Sequence, residues 1–150
     1  MLAFVSSSYE QLSRQTLYEI LALRAAVFVV EQNCPYQDVD GKDIAAIHLM
    51  GYEKNQLVAY SRILPKGIAY KDYISIGRVV TAAAVRGKGY GHVLVKKAVE
   101  IAKATYPKNA IKISAQAHLE VFYKAHGFMP TGEAYLEDDI PHIGMVLKEA

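Results

Sequence analysis

A chain of 150 residues, 52% apolar and 21% charged, suffices for one globular domain with a buried core. A formal net charge of only +2, with no long Lys/Arg run, argues against a dedicated nucleic-acid binder. One cysteine, Cys34, excludes an intrachain disulfide, and no apolar run reaches the ~20 residues that span a bilayer.

Apolar residues Leu17, Ile20, Leu21, Val27 and Phe28 recur at helical spacing, so a first helix is predicted over Tyr9–Gln32 with Ser8 as N-cap. Pro35, Gly41 and the surrounding Asx residues make 33–43 a loop. Strands are expected over Ile47–Glu53 and Gln56–Leu64, joined by a tight turn at Lys54-Asn55. A third, Tyr73–Thr81, is rich in Ile, Val and Tyr. A helix over His92–Tyr106 presents Leu94, Val95, Ala98, Ile101 and Ala102 on one face and stops at Pro107. Ile111–Ala115 is a short buried strand. Leu119–His126 is a short helix ended by Gly127 at C′, and Phe128–Leu147 forms two strands joined around Glu137-Asp-Asp. With one strand ahead of the first helix, the order is β, α, three β, α, β, α, β, β. That is a single α/β domain, a mixed and mostly antiparallel central sheet flanked by helices.

Arg86-Gly-Lys-Gly-Tyr-Gly91 lies between the third of these strands and the helix at His92. Glycines let backbone amides turn toward one point, and a helix N-terminus adds unpaired donors and positive charge. Arg86 and Lys88 add formal charge. The segment therefore reads either as an anion site suited to a pyrophosphate or as a plain turn capping a helix. It is no Walker A loop, since no Gly-Lys-Ser/Thr ends it. The spacing Gly87-x-Gly89-x-Gly91 also departs from the dinucleotide fingerprint.

Arg86-x-x-Gly89-x-Gly91 after Ile76-Gly-Arg-Val-Val-Thr81 resembles the acyl-CoA-binding motif of the GCN5-related N-acetyltransferase (GNAT) superfamily. Gln116-Ala-His-Leu-Glu-Val-Phe-Tyr-Lys-Ala-His-Gly-Phe128 resembles its second motif, with Tyr123 and Gly127-Phe128 at the matching spacing. Arg24–Gly41, Ala115–Leu119 and Ile140–Met145 look like the ElaA branch of that superfamily. The resemblance implies a GNAT-like fold and an acyl-CoA-dependent N-acetyltransferase, acetyl-CoA serving as cosubstrate. The cofactor would lie in a V-shaped opening between the third and fifth strands of the count. Main-chain groups of Val79, Val80 and Thr81 would pair with the pantetheine arm. Amides from Gly87 through Lys88, Gly89, Tyr90 and Gly91 to His92 would hold the pyrophosphate. Gln116 would contact the cofactor by its amide. The Val80 N–H would polarise the thioester carbonyl, and Tyr123 would donate a proton to the leaving thiolate. A core aromatic is the other reading of Tyr123.

Candidates for the base that deprotonates the amine are Glu31, His48, His118, Glu120 and His142, with a water chain as the alternative. Asp38-Val-Asp-Gly-Lys-Asp43 lacks EF-hand spacing and reads as a solvated acidic loop that could attract a cationic amine; on that reading, Asp38→Asn and Asp40→Asn raise the acceptor KM. Arg24 interrupts an apolar helical face, so it must reach a carboxylate or snorkel. Arg78 points either to the pocket or to the opposite face. Cys34 reads as a bystander thiol, and no metal-ligand spacing occurs. The first residues lack the features of a signal peptide, so the expected protein is cytoplasmic, with no metal and no membrane or nucleic-acid partner. Its expected partners are a small-molecule or peptide amine and, through the exposed faces of the last two strands, a second copy in a homodimer. Longer acyl groups, a non-catalytic acyl-CoA-binding or regulatory module, and a plain nucleotide binder are the competing functions.

Overall fold

The computed structural model describes residues 1–149. Strand β1, Ala3–Ser8, runs into a single 3-10 turn, Tyr9–Gln11, closed by the Ser8 N–H donating to Gln11 Oε1 at 3.0 Å. The first helix therefore starts later than its apolar spacing suggests. Leu12 is extended, and Ser13 rather than Ser8 caps α1, Arg14–Arg24, by accepting from the Thr16 amide at 3.0 Å. The chain then continues through a π-helical stretch, Ala25–Glu31. The Gln32 and Cys34 amides reach back five residues, to the carbonyls of Val27 and Val29, at 3.1 Å each.

Strands β2, Ile47–Glu53, and β3, Gln56–Leu64, form a hairpin. Its turn residues Lys54 and Asn55 have φ of 51° and 65°, the left-handed pair that a two-residue hairpin loop requires. Then come β4 (Ile74–Thr81), α2 (Tyr90–Thr105), β5 (Ile111–Gln116) and α3 (Glu120–Lys124). Helix α3 is shorter than expected, because a 3-10 turn occupies Ala117–Leu119 and the helix ends at Lys124. Gly127 thus falls at C″, not C′. It has φ 93°, and a Cβ there would lie 2.9 Å from Leu147, so conformation and space both require glycine. Three strands, not two, close the chain: β6 (Met129–Pro130), β7 (Tyr135–Glu137) and β8 (Ile140–Leu147). Left-handed Asp138 and Asp139 turn β7 into β8.

The sheet order is β1-β2-β3-β4-β5-β8-β6, with β7 beside β6 along the outer edge of β8. All pairs are antiparallel except β4–β5. Side-chain alternation splits the core into two layers. Leu49 and Ala59 face α2, which buries Leu94, Val95, Ala98 and Ala102. Their neighbours Met50 and Tyr60 face Ile20 of α1 and Val27. The parallel pair holds only at Ile74↔Ile111 and Ser75↔Lys112, after which β4 and β5 splay apart. The V-shaped opening therefore lies between β4, the third strand of the sequence count, and β5.

Candidate active site

Strand β4 carries a bulge. Tyr60 pairs with Val80 and Arg62 with Gly77, so Arg78 and Val79 together oppose Ser61. The bulge and the lost partner strand leave Gly77 to Thr81 lining a cavity of about 510 Å³. Val27, Phe28, Glu31 and Gln32, from the π-helical stretch and its end, form a second wall. Gln116, His118 and Tyr123 form a third, and Glu137, Asp138, Ile140 and His142 the rim. A bowl of about 200 Å³ adjoins it, lined by Arg86, Gly87, Gly89, Tyr90, Gly91, His92 and Phe122. Thr81 and Arg86 belong to both spaces.

The bowl sits at the N-terminus of α2, which starts at Tyr90, two residues earlier than expected. Gly89 is its N-cap with φ 77° and no capping side chain. A Cβ at Gly87 or Gly89 would meet nothing within 4 Å. The glycines thus serve conformation and leave the first-turn amides open, as an anion requires. The charges behave differently from the expectation. Arg86 is engaged by both oxygens of Glu31, at 2.9 Å for Nη2 to Oε1, and also donates to the Thr81 carbonyl at 3.2 Å. This pairing holds the Glu31 carboxyl below its usual range. Lys88 turns out of the bowl to Glu53 at 3.2 Å, where Glu53 also holds the Tyr90 hydroxyl. The Lys88 side chain does not line the bowl.

Tyr123 is 9% exposed and lines the cavity; burial pushes its phenol up to about 12. Edge-on contacts with Phe122 and Phe128, centroids 5.0 and 6.1 Å away, fix its ring. Gln116 is at hand, its Nε2 donating to Gln32 Oε1 at 3.3 Å. His142 Nδ1 lies 2.7 Å from the Ile140 carbonyl, so that nitrogen must carry the proton. In neutral His142 the lone pair is then on Nε2, 3.5 Å from Glu137 Oε2.

Two candidate bases are misplaced. His48 is fully buried outside the cavity. Its Nε2 lies 2.8 Å from the Asp43 carbonyl and so donates there, and its Nδ1 accepts from the Tyr60 hydroxyl at 2.6 Å. Glu120 does not line the cavity and instead pairs with Lys124 at 2.7 Å.

The acidic loop is also corrected. It is not solvated: Asp38 and Asp43 are 7% and 6% exposed, and Arg24 is fully buried. Arg24 spans Asp38 (3.0 Å) and Asp43 (2.7 Å). Arg62 spans Asp40 (2.6 Å) and Asp43 (3.0 Å). Arg78 reaches Asp38 (2.8 Å) and Asp40 (3.3 Å). With three guanidiniums on three carboxylates, Asp38 and Asp40 have nothing left to attract an amine, so the KM effect expected from their replacement is withdrawn. Arg78 points to the cavity side, its guanidinium over the Tyr36 ring. Tyr36, Arg78, Glu137 and Asp138 were not assigned roles from sequence, and Cys34 also lines the cavity.

The model of the acetyltransferase (GNAT) domain matches residues 8–149. The chain belongs to the GNAT acetyltransferase family. It is 45% identical over 147 residues to protein ElaA of Escherichia coli, covering 97% of this chain and 95% of that protein. The crystal structure of E. coli ElaA superposes with a TM-score of 0.92 at 43% identity, covering 99% and 100% of the two chains. An acyl-CoA N-acyltransferase from Pseudomonas aeruginosa gives 0.92 at 44% identity, over 97% and 99%. The single-domain GNAT fold expected from the glycine segment and the Tyr123 segment is thereby established. Among the described residues no helix is long and apolar enough to cross a membrane, and no three His, Cys, Asp or Glu side chains converge as a metal site.

Proposed function

We propose that this protein transfers an acetyl group from acetyl-CoA to a primary amine by direct attack. The observation that carries the reading is the joined pair of spaces. An anion bowl at the α2 N-terminus opens, past Thr81 and Arg86, into a chamber walled by exposed β4 backbone and Tyr123. The donors fit the group: main-chain amides 87–92 for the pyrophosphate, and main-chain groups of Val79 and Thr81, those of Val80 being paired with Tyr60 of β3, for the pantetheine arm. When bound, acetyl-CoA supplies an activated thioester. The β3–β4 register pairs Val80 with Tyr60 and so corrects the expectation for its N–H; the N–H of Val79, turned to the open side of β4, polarises the carbonyl instead. The chamber holds amine and carbonyl in line, where most of the rate gain arises. Tyr123 keeps its proton and presents it to the sulfur. Neutral His142 accepts the amine's proton at Nε2, beside Glu137, in preference to Glu31, whose carboxylate is held by Arg86. A second copy of the chain would find exposed Met129 and Leu136 at the outer edge of β8.

Calorimetric titration with acetyl-CoA tests the site. Wild type should bind in the micromolar range. Gly89→Trp should abolish binding, because an indole would fill the bowl and the residue must hold φ 77°; its melting temperature serves as the control for folding. If wild type binds no acyl-CoA, the transferase reading falls. His142→Gln tests the base: kcat should fall about tenfold or more, with the acetyl-CoA Kd unchanged. An unchanged kcat would leave the water chain as the base.

A further inference from the structure

We infer that the acceptor is an amine that also carries a carboxylate, of amino-acid size, and that Arg78 reads that carboxylate. The inference rests on the acyl-transfer reading and narrows its substrate.

The bulge in β4 places Arg78 in the left-handed region, φ 49°, inside a strand, where a non-glycine residue is strained. The result is a guanidinium drawn toward loop 33–43 on the cavity wall, in the bulged segment next to Val79 and the proposed reacting centre. Its Nε lies 2.8 Å from Asp38 Oδ1. Its Nη2 donates to the Asp38 carbonyl at 3.0 Å and to Asp40 Oδ2 at 3.3 Å, and Tyr36 stacks beneath it at 5.4 Å. The side chain is therefore fixed before any ligand arrives.

What it leaves over is Nη1. In Arg24 all three nitrogens donate to Asp38 and Asp43. In Arg62 both terminal nitrogens are used, and Nε is buried. Among the described residues, Arg78 Nη1 is the one nitrogen of this network that is neither bonded within the protein nor sealed from solvent. It offers two N–H donors in a set geometry to an anion in the cavity.

Electrostatics select which anion. The three arginines and three aspartates cancel, so Arg78 supplies direction rather than net charge. The rim of the same cavity carries Glu137 and Asp138. A pure anion would be repelled by them. A pure polyamine would leave Nη1 unanswered and facing a cation. A zwitterion, with its ammonium toward His142 and Glu137 and its carboxylate on Arg78, satisfies both charges.

The test uses acceptor pairs that differ only by the carboxylate: L-phenylalanine and phenethylamine, L-lysine and cadaverine, L-arginine and agmatine. Each is assayed with acetyl-CoA and titrated into CoA-loaded protein. Wild type should favour the carboxylate-bearing member roughly ten- to a hundredfold in kcat/KM, mainly through KM, as expected for a hydrogen bond to a charged group. Arg78→Lys keeps a cation for Asp38 and Asp40, and should bring that ratio close to one while leaving the acetyl-CoA Kd in place. A purely structural role for Arg78 would lower both members of each pair alike. The wild-type comparison needs no variant to fold. Equal or better use of the decarboxylated amines overturns the inference, as does failure of every carboxylate-bearing member to bind CoA-loaded protein. In both cases intact acetyl-CoA binding spares the transferase reading, whereas loss of that binding overturns both.

Discussion

Tyr123→Phe is expected to lower kcat about a hundredfold or more while leaving acetyl-CoA affinity and the melting temperature close to wild type. The ring stays: edge contacts to Phe122 and Phe128 need no hydroxyl, so packing is preserved. On the proposed reading, what is lost is the proton presented to the departing sulfur. Burial places the phenol at about 12, above its ordinary value near 10, and so widens the gap to a thiol of about 8.5. Full transfer in the free-energy sense is thus more uphill than sequence alone suggests. Tyr123 works best as a donor whose hydrogen bond strengthens while charge develops on sulfur, with transfer completed as the thiol leaves. Because a raised pKa keeps the phenol protonated at every pH below about 12, the pH–rate profile of wild type between 5 and 10 should owe nothing to Tyr123. The variant should be slower at every pH with an unshifted profile. A kcat within threefold of wild type would make Tyr123 a core aromatic and nothing more.

Legibility followed the range of the signal. Strands β2 to β5 and α2 were readable because period-2 and period-3.6 patterns are local, and the Lys54-Asn55 and Asp138-Asp139 turns because their chemistry is local too. The expected first helix runs too far at its N-terminus, because Ser8 and Ser13 are both capping residue types and the apolar period, which starts at Leu17, does not choose between them. At its other end the π-helical turns reuse the same residues with a different hydrogen-bond step. The bowl was legible in its glycines, since φ 86° and 77° at Gly87 and Gly89 are requirements that sequence displays openly. Lys88 was not, because its partner Glu53 is 35 residues away and nothing local announces the pair. The acidic loop hides its partners for the same reason. Its three carboxylates look solvated until Arg24, Arg62 and Arg78 arrive from three other elements. The signal that could reveal them is the arginines themselves, each next to apolar residues of its helix face or strand.

That network carries the other large effect. Asp43→Asn should cost roughly 3–5 kcal/mol of folding stability, which for a domain of this size lowers the melting temperature by roughly 6–20 °C at pH 7. Asp43 Oδ1 accepts from Arg24 at 2.7 Å and from Arg62 at 3.0 Å. The amide that replaces the carboxylate leaves two buried guanidiniums sharing less negative charge than they need. Burial alone would raise the Asp43 pKa, but Arg24 and Arg62 outweigh it and hold the carboxyl below its usual value. A depressed folded-state value has one sign. The stabilisation is fully present above the unfolded carboxylate pKa of about 3.9 and is lost as pH falls through the lower folded value. The gap in melting temperature between wild type and Asp43→Asn should therefore be constant from pH 7 down to about 5 and close below about 4. Asp40, which Arg62 holds well below the carboxylate range against the cost of burial, should follow the same course, and its variant should converge at still lower pH. A gap that stayed open in acid would mean that the asparagine disrupts packing rather than charge. A gap absent at pH 7 would mean that the buried ion pairs contribute nothing net to folding. The network would then be retained for what it positions, above all Arg78 on the cavity wall.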